Sequence, residues 1–223
     1  MPDAEYFPAP ELSDGTPAAP IRKRPKPGER RVQILHALAS MLEQPGVERI
    51  TTAALAARLD VSEAALYRHF ASKAQMFEGL IEFIEQTVFS LVNQIAERED
   101  AASADDAQAG ARHAGKLIAM VIQFSEKNPG MTRVMVGDAL VFENERLQQR
   151  MNQFFDKFES TLKQCLRATA LQNGSGQPTL DSQVSASVLT AFMAGRLQRF
   201  ARSGFKRLPS EHLQACLAQL LST

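Results

Sequence analysis

The sequence predicts an all-α protein in which a short three-helix unit precedes a body of longer helices, about nine helices in all. Two observations support this fold class. From Arg30 onward, apolar residues recur at spacings of three and four, which is the helical period, and no convincing alternation of apolar and polar residues indicates a strand. Apolar residues make up 44% of the 223 residues, so the chain has ample material for a core.

The first 28 residues differ from the rest of the chain because they contain seven of the eleven prolines. Proline fixes φ and removes a backbone donor, so we expect residues 1–28 to form a disordered leader. Its basic end, Arg22-Lys23-Arg24-Pro25-Lys26, either reaches the phosphates or minor groove of a nucleic acid or serves as a solubilising tail.

Three short helices are predicted after this leader. The first covers roughly 29–44, and Pro45-Gly46 ends it. The second and third lie within 51–70 and are joined by a tight turn at Asp60, a residue type that tolerates the left-handed backbone. Ser62-Glu63 provides a good N-cap and a carboxylate that suits the positive end of the third helix. Four apolar residues are spaced to close a seam between the second and third helices: Leu55, Leu59, Val61 and Leu66.

Six further helices complete the predicted fold. Ser72 is placed to cap the fourth helix, Asn128-Pro129-Gly130 breaks the fifth, and Pro209 opens the ninth. The polar, acidic segment from Glu97 to Gly110 is predicted to be a loop. The fourth helix is predicted over roughly 73–97, the fifth up to 127, and the sixth to eighth over roughly 131–142, 144–172 and 180–203.

A helix, a tight turn and a second helix form the arrangement that places a recognition helix in the major groove of DNA. Thr51 and Thr52 begin the first of these two helices, where hydroxyls and free amides form a phosphate site and one of the threonines also serves as N-cap. Tyr67, His69 and Lys73 are placed to contact the oxygens of the DNA backbone, and the alternative for Tyr67 is a place in the core.

The remaining outward-facing residues predict that the protein binds DNA with only modest sequence specificity. Arg68 faces either DNA or the neighbouring Glu63, and alanine side chains can contact only thymine methyls. We therefore expect phosphate contacts to supply much of the affinity and binding to fall steeply with salt. The candidate DNA-binding residues are Arg30, Arg31, Thr51, Thr52, Ser62, Glu63, Ala64, Ala65, Tyr67, Arg68, His69 and Lys73.

The net charge of the chain is zero, but the charge is unevenly distributed. From Arg22 to Lys73 there are ten Lys/Arg and five Asp/Glu; from Ala74 to Gln148 there are six and twelve; from Gln149 to the end there are nine and four. A basic segment that coincides with the helix-turn-helix favours a polyanionic partner over chance clustering on a solvated surface.

The eighth and ninth helices are candidates for a subunit interface. Small and apolar side chains follow one side of each helix, so two copies of the pair would form a four-helix interface about a two-fold axis. Such a dimer would present two recognition helices to a palindromic site. A purely intramolecular core is the alternative. The candidate interface residues are Val184, Val188, Phe192, Leu213, Leu217 and Leu220.

Several functional classes are disfavoured. The sequence has no apolar run of 18 residues and no apolar segment of the kind that follows the start of a secretory signal, so we expect a cytoplasmic protein whose two cysteines, Cys165 and Cys216, are reduced. The four histidines have no metal-ligand spacing, and there is no glycine-rich phosphate loop or nucleophile elbow. We therefore expect no metal, no cofactor and no enzymatic activity.

At this point the motif resembles a known family. The run Leu66-Tyr67-Arg68-His69-Phe70, followed by Ser72-Lys73 and Met76-Phe77, is similar to the passage from recognition helix to fourth helix in the TetR family of bacterial regulators. The resemblance implies a TetR-like fold with a leader over 1–28, a helix-turn-helix DNA-binding domain over 29–88 and a helical regulatory and dimerisation domain over 89–223.

A narrower resemblance links the chain to the nucleoid occlusion branch of that family. It covers roughly residues 29–221, is weak between about 91 and 122, and is carried by the segments 62–70, 80–85, 128–133, 138–143 and 199–206. It implies a nucleoid-associated homodimer that binds palindromic sites on double-stranded DNA, with one or more dimers per site. It also implies that the DNA-bound dimer engages the C-terminal tail of FtsZ, disrupts FtsZ polymers and blocks septum formation over the nucleoid.

Phe83 is the candidate contact for that tail. The apolar face of the fourth helix includes Phe77, Leu80, Ile84 and Val88, and Phe83 falls to one side of it. Phe83 either packs against helix one or seven, or lines a hydrophobic groove for an extended peptide, which the resemblance identifies as the FtsZ tail.

A ligand-responsive repressor is the alternative function. Its body would enclose an apolar pocket built from helices five to eight, although such residues are more often plain core. The candidate lining residues are Met120, Phe124, Met135, Phe155 and Met193.

Overall fold

The computed structural model describes residues 28–44, 50–100 and 108–221, and the described ranges contain nine α-helices and no β-strand. The prediction of an all-α protein is confirmed. The helices are α1 (Glu29–Leu42), α2 (Thr52–Arg58), α3 (Glu63–Tyr67), α4 (Lys73–Asp100), α5 (Ala109–Lys127), α6 (Pro129–Met135), α7 (Glu145–Gln172), α8 (Pro178–Arg202) and α9 (Leu213–Leu221).

Some predictions fall on residues that the structure does not describe. These are the leader up to residue 27, with its basic segment, the Pro45-Gly46 break after α1, and most of the loop predicted between α4 and α5. Gly28, the last residue of the predicted leader, directly precedes α1 with a φ of 90°. Within the described ranges, no helix combines the length and the apolar character needed to cross a membrane.

Three predicted elements differ in the structure. The predicted loop does not begin at Glu97, because α4 continues to Asp100. The sixth helix begins at Pro129 and ends at Met135, because Gly137 has a φ of 83° and a separate 3-10 turn follows at Asp138–Leu140. Pro209 does not open the ninth helix: it is buried in a turn, and α9 begins only at Leu213. The backbone carbonyl of Pro209 accepts a hydrogen bond of 2.8 Å from Arg196, so this segment is held by a side chain rather than by helical bonds.

The geometry of α2 and α3 follows the predicted local signals. Asp60 has a φ of 52°, which is the left-handed conformation expected at the tight turn. Ser62 caps α3, and its hydroxyl accepts a hydrogen bond of 3.3 Å from the backbone N–H of Ala65. Leu55 and Leu66 are buried between the two helices. Leu59 and Val61 are half-buried against the same core, so the predicted seam is confirmed.

The three-helix head packs against α6 of the body. At Gly130 the backbone of α6 approaches α1 so closely that a Cβ atom would lie 1.9 Å from the carbonyl oxygen of Ala39. Arg133 donates a hydrogen bond of 3.3 Å to the carbonyl of Leu42 at the end of α1. The first helix of the head is therefore packed directly against the body.

The long helices α7 and α8 pack along each other as an antiparallel pair. Arg150, near the start of α7, forms an ion pair of 3.0 Å with Glu85 on α4. Because the connection over 173–177 is short, α8 returns toward the end at which α7 began. Ser210, in the segment after α8, donates its backbone N–H to the carboxylate of Glu126 near the end of α5 at 2.9 Å.

Candidate DNA interface

The predicted recognition segment lies on the surface. Ser62, Glu63, Ala64, Arg68 and His69 are exposed. Tyr67 is 45% exposed, so it is not a core residue. Ala65 is only half-buried, while Leu66 is buried and anchors α3 to the head. The segment thus presents a polar face with small alanine side chains at its start, as a recognition helix requires.

The two threonines at the start of α2 have different partners. Thr51 is the N-cap, and its hydroxyl accepts a hydrogen bond of 3.1 Å from the backbone N–H of Ala54. Thr52 instead donates its hydroxyl proton to the carboxylate of Glu63, with 2.6 Å between the two oxygens. This hydrogen bond between Thr52 and Glu63 holds α2 against α3.

Arg31 binds the end of the recognition segment. Its guanidinium donates a hydrogen bond of 3.0 Å to the backbone carbonyl of His69 and lies 4.2 Å from the centre of the Phe70 ring. Arg30 donates to the side chain of Gln33 on the same helix at 3.0 Å. Arg31 is thus a positioning residue that holds the segment after α3 against α1, a contact that sequence spacing did not reveal.

Lys73 is placed at the start of α4 by a local cap. The hydroxyl of Ser72 accepts a hydrogen bond of 3.1 Å from the backbone N–H of Gln75, and the Gln75 side chain accepts one of 2.8 Å from Ala71. The ammonium group of Lys73 forms an ion pair with the carboxylate of Glu143, which precedes α7. The side chains of this pair are 22% and 11% exposed, so a carboxylate of the body compensates the charge of Lys73 when DNA is absent.

We expect Glu143→Gln to tighten DNA binding by about fivefold, because a phosphate would no longer compete with a carboxylate for Lys73 in either subunit. A fluorescence anisotropy titration with a labelled duplex measures the change. Glu145→Gln is the matched control, since Glu145 is exposed, lies two residues away and loses the same charge. Equal effects of the two substitutions would assign the gain to net charge and contradict a specific contribution of the ion pair.

The candidate partner residue Phe83 packs against α1. Its side chain is half-buried, and its ring meets that of His36 edge to face with 5.5 Å between the ring centres. Of the two roles predicted for Phe83, packing against helix one is therefore observed, through His36.

The candidate interface residues divide into two groups. Val184 and Val188 are 55% and 46% exposed on α8. Leu213 and Leu217 are 5% and 4% exposed, and they pack α9 against the core of their own subunit. Phe192 and Leu220 are half-buried.

The exposed apolar surface of α8 is longer than predicted. Leu180 is 54% exposed, and its position four residues before Val184 could have placed it on the same helical face. Leu180, Val184 and Val188 line a groove of about 620 Å³ together with Leu220 and Leu221 of α9.

The two cysteines lie on α7 and α9. The sulfur of Cys165 lies 3.6 Å from Nδ1 of His113, a neighbour that spacing along the chain did not indicate. Cys216 accepts a hydrogen bond of 3.1 Å from Arg196. In the ranges that the structure describes, His, Cys, Asp and Glu form no group of three or more that could hold a metal ion.

Comparisons with known proteins identify the class of protein to which the chain belongs. The family described as "Bacterial regulatory proteins, tetR family" matches residues 34–80, and the SlmA-like family described as "Tetracyclin repressor-like, C-terminal domain" matches residues 112–222. The regulator FadR of Bacillus subtilis, solved with stearoyl-CoA, covers 86% of this chain and 97% of its own at a TM-score of 0.68 and 14% identity. FadR of Bacillus halodurans has the same TM-score at 16% identity, covering 87% and 95%. The fold and the exposed recognition helix define a helix-turn-helix protein of the TetR type.

Relatives of higher identity narrow the class. The nucleoid occlusion factor SlmA of Idiomarina loihiensis is 48% identical over 83% of this chain and 90% of its own length. SlmA of Aliivibrio fischeri is 47% identical over 88% and 96%, and SlmA of Shewanella pealeana is 49% identical over 82% and 88%. The chain belongs to the SlmA family of nucleoid occlusion factors, within the TetR family.

Proposed function

We propose that this chain acts as a DNA-bound homodimer that antagonises FtsZ polymerisation and so prevents septum formation over the nucleoid. The observation that carries the proposal is the similarity to SlmA proteins over both head and body, together with a recognition segment that lies on the surface. Thr51, Tyr67, Arg68 and His69 are the residues we assign to DNA contacts in the free head, and Lys73 joins them when a phosphate displaces Glu143.

The exposed apolar face of α8 supports the proposed dimer. Leu180, Val184 and Val188 form a continuous apolar strip beside the groove that α9 borders. Covering this strip with the same strip of a second copy would remove apolar surface from water about a two-fold axis. The axis would present two α3 helices to the two halves of a palindrome.

The candidate lining residues of a repressor pocket give little support to the ligand-responsive repressor. Phe124, Met135 and Met193 are buried members of the core, and Met120 and Phe155 are half-buried against it. The grooves of about 500 and 620 Å³ that border α9 are lined by other residues.

Genome-wide mapping of the sites that the chain occupies tests the proposal. A nucleoid occlusion factor should occupy many dispersed sites, whereas a repressor should occupy one or two sites beside regulated genes. A second experiment adds the protein to FtsZ and measures FtsZ polymer mass by light scattering, with and without a duplex taken from a mapped site. Few sites combined with unchanged FtsZ polymers would refute the proposal.

For the proposed partner contact, we expect Phe83→Ala to abolish the effect on FtsZ polymers while DNA affinity stays within about twofold of the original. The physical reason is that truncation removes an apolar anchor for the peptide but leaves α3 and its cap unchanged. Light scattering and DNA anisotropy measure the two properties on the same samples.

Phe89→Ala is the matched control for that substitution. Phe89 is also half-buried on α4, but it contacts Phe154 and the ammonium group of Lys157 on α7, so it faces a different helix. Both substitutions delete one ring from α4. If both variants lose FtsZ antagonism equally, or if Phe83→Ala unfolds the chain by circular dichroism, Phe83 is a core residue and not a contact.

A further inference from the structure

The C-terminal end of α8 and the loop after it carry four exposed cations, Arg199, Arg202, Lys206 and Arg207, which we call the basic turn. The segment 196–212 contains five Lys/Arg and one Asp/Glu, a net charge of +4. Among the residues that the structure describes, no carboxylate forms an ion pair with any of the four. The basic turn is therefore a concentrated and uncompensated positive surface on the body.

The backbone of the basic turn is fixed by hydrogen bonds at its centre. The hydroxyl of Ser203 accepts from the backbone N–H groups of Lys206 and Arg207 at 3.1 and 2.9 Å, and it donates to the carbonyl of Phe200 at 2.9 Å. Phe205 has a φ of 64°, an uncommon conformation for a bulky residue, and its ring packs against Phe200 with 5.2 Å between centres. Strain of this kind persists only where surrounding contacts hold it, and it clusters at functional sites.

Arg196 holds the far end of the same loop. Its guanidinium donates to the backbone carbonyls of Pro209 and Glu211 at 2.8 and 2.7 Å, so this cation supports the loop. A cleft of about 610 Å³ opens here, and its lining includes three arginines, Arg196, Arg199 and Arg207, and one carboxylate, that of Glu211. Two guanidinium groups on a fixed backbone beside an open cleft are suited to bidentate recognition of phosphate.

The basic turn lies at the end of the body that carries the head. Ser210, three residues beyond Arg207, is hydrogen-bonded to Glu126, and α5 leads within three residues to α6. It is α6 that packs on α1 at Gly130. The same end of the body also supplies Glu143 to Lys73.

The folded head by itself has little positive charge with which to attract DNA. Residues 28–88 contain six Lys/Arg and eight Asp/Glu, a net charge of −2, whereas residues 22–27 contain four Lys/Arg and no Asp/Glu. Two of the head's cations, Arg31 and Lys73, are engaged by His69 and Glu143. A protein that depends on phosphate contacts therefore needs cations from outside the folded head.

We propose that the basic turn is a second DNA-binding surface that contacts phosphates outside the reach of α3. The inference rests on the proposed function, since it presupposes that the chain binds DNA. In a dimer the two turns supply eight cations at the head-proximal end of the body. They increase affinity without regard to base sequence and make it more sensitive to salt.

Lys206→Gln with Arg207→Gln tests the proposal, with Lys163→Gln and Arg167→Gln on α7 as the matched control. Each double variant removes one lysine and one arginine, so the net charge of the chain changes equally. The probes are duplexes of about 20 and about 40 base pairs centred on one mapped site. Only the longer duplex extends well beyond the two half-sites of a dimer. Anisotropy titrations at several salt concentrations give the slope of log K against log salt.

We expect the variant of the basic turn to bind the longer duplex at least about tenfold more weakly and to reduce the magnitude of the salt slope by about 2 to 4 per dimer, with a smaller change for the control. The loss should be larger on the longer duplex. Arg199→Gln with Arg202→Gln should act in the same direction. Circular dichroism verifies folding, which these exposed side chains should not affect.

Two results would overturn the inference and leave the proposed function standing. One is equal affinity and equal salt slope for the two matched variants on both duplexes. The other is unchanged DNA binding together with lost binding of a carboxylate-rich peptide, tested with the FtsZ tail, or of inorganic phosphate. A chain without any substitution that fails to bind the duplexes would refute the proposed function itself.

Discussion

Replacing Val184 and Val188 by aspartate should convert the protein into monomers and weaken binding to a palindromic duplex by at least about 100-fold. The two side chains are 55% and 46% exposed in the single chain, so the substitutions should leave the subunit folded. In a symmetric dimer they would place four carboxylates in one apolar interface, where desolvation of like charges is costly. The loss of affinity follows because each monomer presents only one recognition helix.

Analytical ultracentrifugation at micromolar concentration measures the oligomeric state, and anisotropy measures binding to the duplex. Val32→Asp with Val141→Asp is the matched control for oligomeric state, since both valines are exposed and neither belongs to α8 or α9. The control should remain dimeric. A dimer that survives Val184→Asp with Val188→Asp would remove α8 from the interface.

Gly130→Ala should destabilise the protein by about 3 kcal/mol, because the added methyl group would overlap the backbone of α1. The new Cβ would lie 1.9 Å from the carbonyl oxygen and 2.8 Å from the carbonyl carbon of Ala39. Neither atom belongs to a flexible side chain, so relief requires that α6 and α1 move apart. Because α1 also carries Arg31, this movement would displace the support of the recognition segment and weaken DNA binding as well.

Urea denaturation of the two proteins measures this change in unfolding free energy. Gly115→Ala is the control, because its added Cβ would meet only the end of the Leu221 side chain, at 3.3 Å. Alanine also has the higher helix propensity, so Gly115→Ala should leave the stability unchanged or slightly raised. Equal stabilities for the Gly130 and Gly115 variants would contradict the close approach of α6 to α1.

Features that depend on neighbours in the chain could be predicted from the sequence. The turn at Asp60 and the caps at Ser62 and Ser72 were predicted at the residues where the structure has them, because each requires only a few consecutive residues. The helical class and most helix bounds followed from apolar periodicity for the same reason. The predicted start of α9 at Pro209 failed because Arg196, thirteen residues earlier, holds that carbonyl outside a helix.

The sequence by itself determined that this protein is helical, that residues 51–70 form a helix-turn-helix and that α3 begins at Ser62, since these depend on local hydrogen bonds and periodicity. The tertiary structure alone decided which candidate residues have internal partners. Arg31 reaches His69 across 38 residues, Lys73 reaches Glu143 across 70, and Leu213 faces the core of its own subunit. Such pairings depend on how the helices pack, so the individual partners cannot be predicted from residue type or from spacing along the chain.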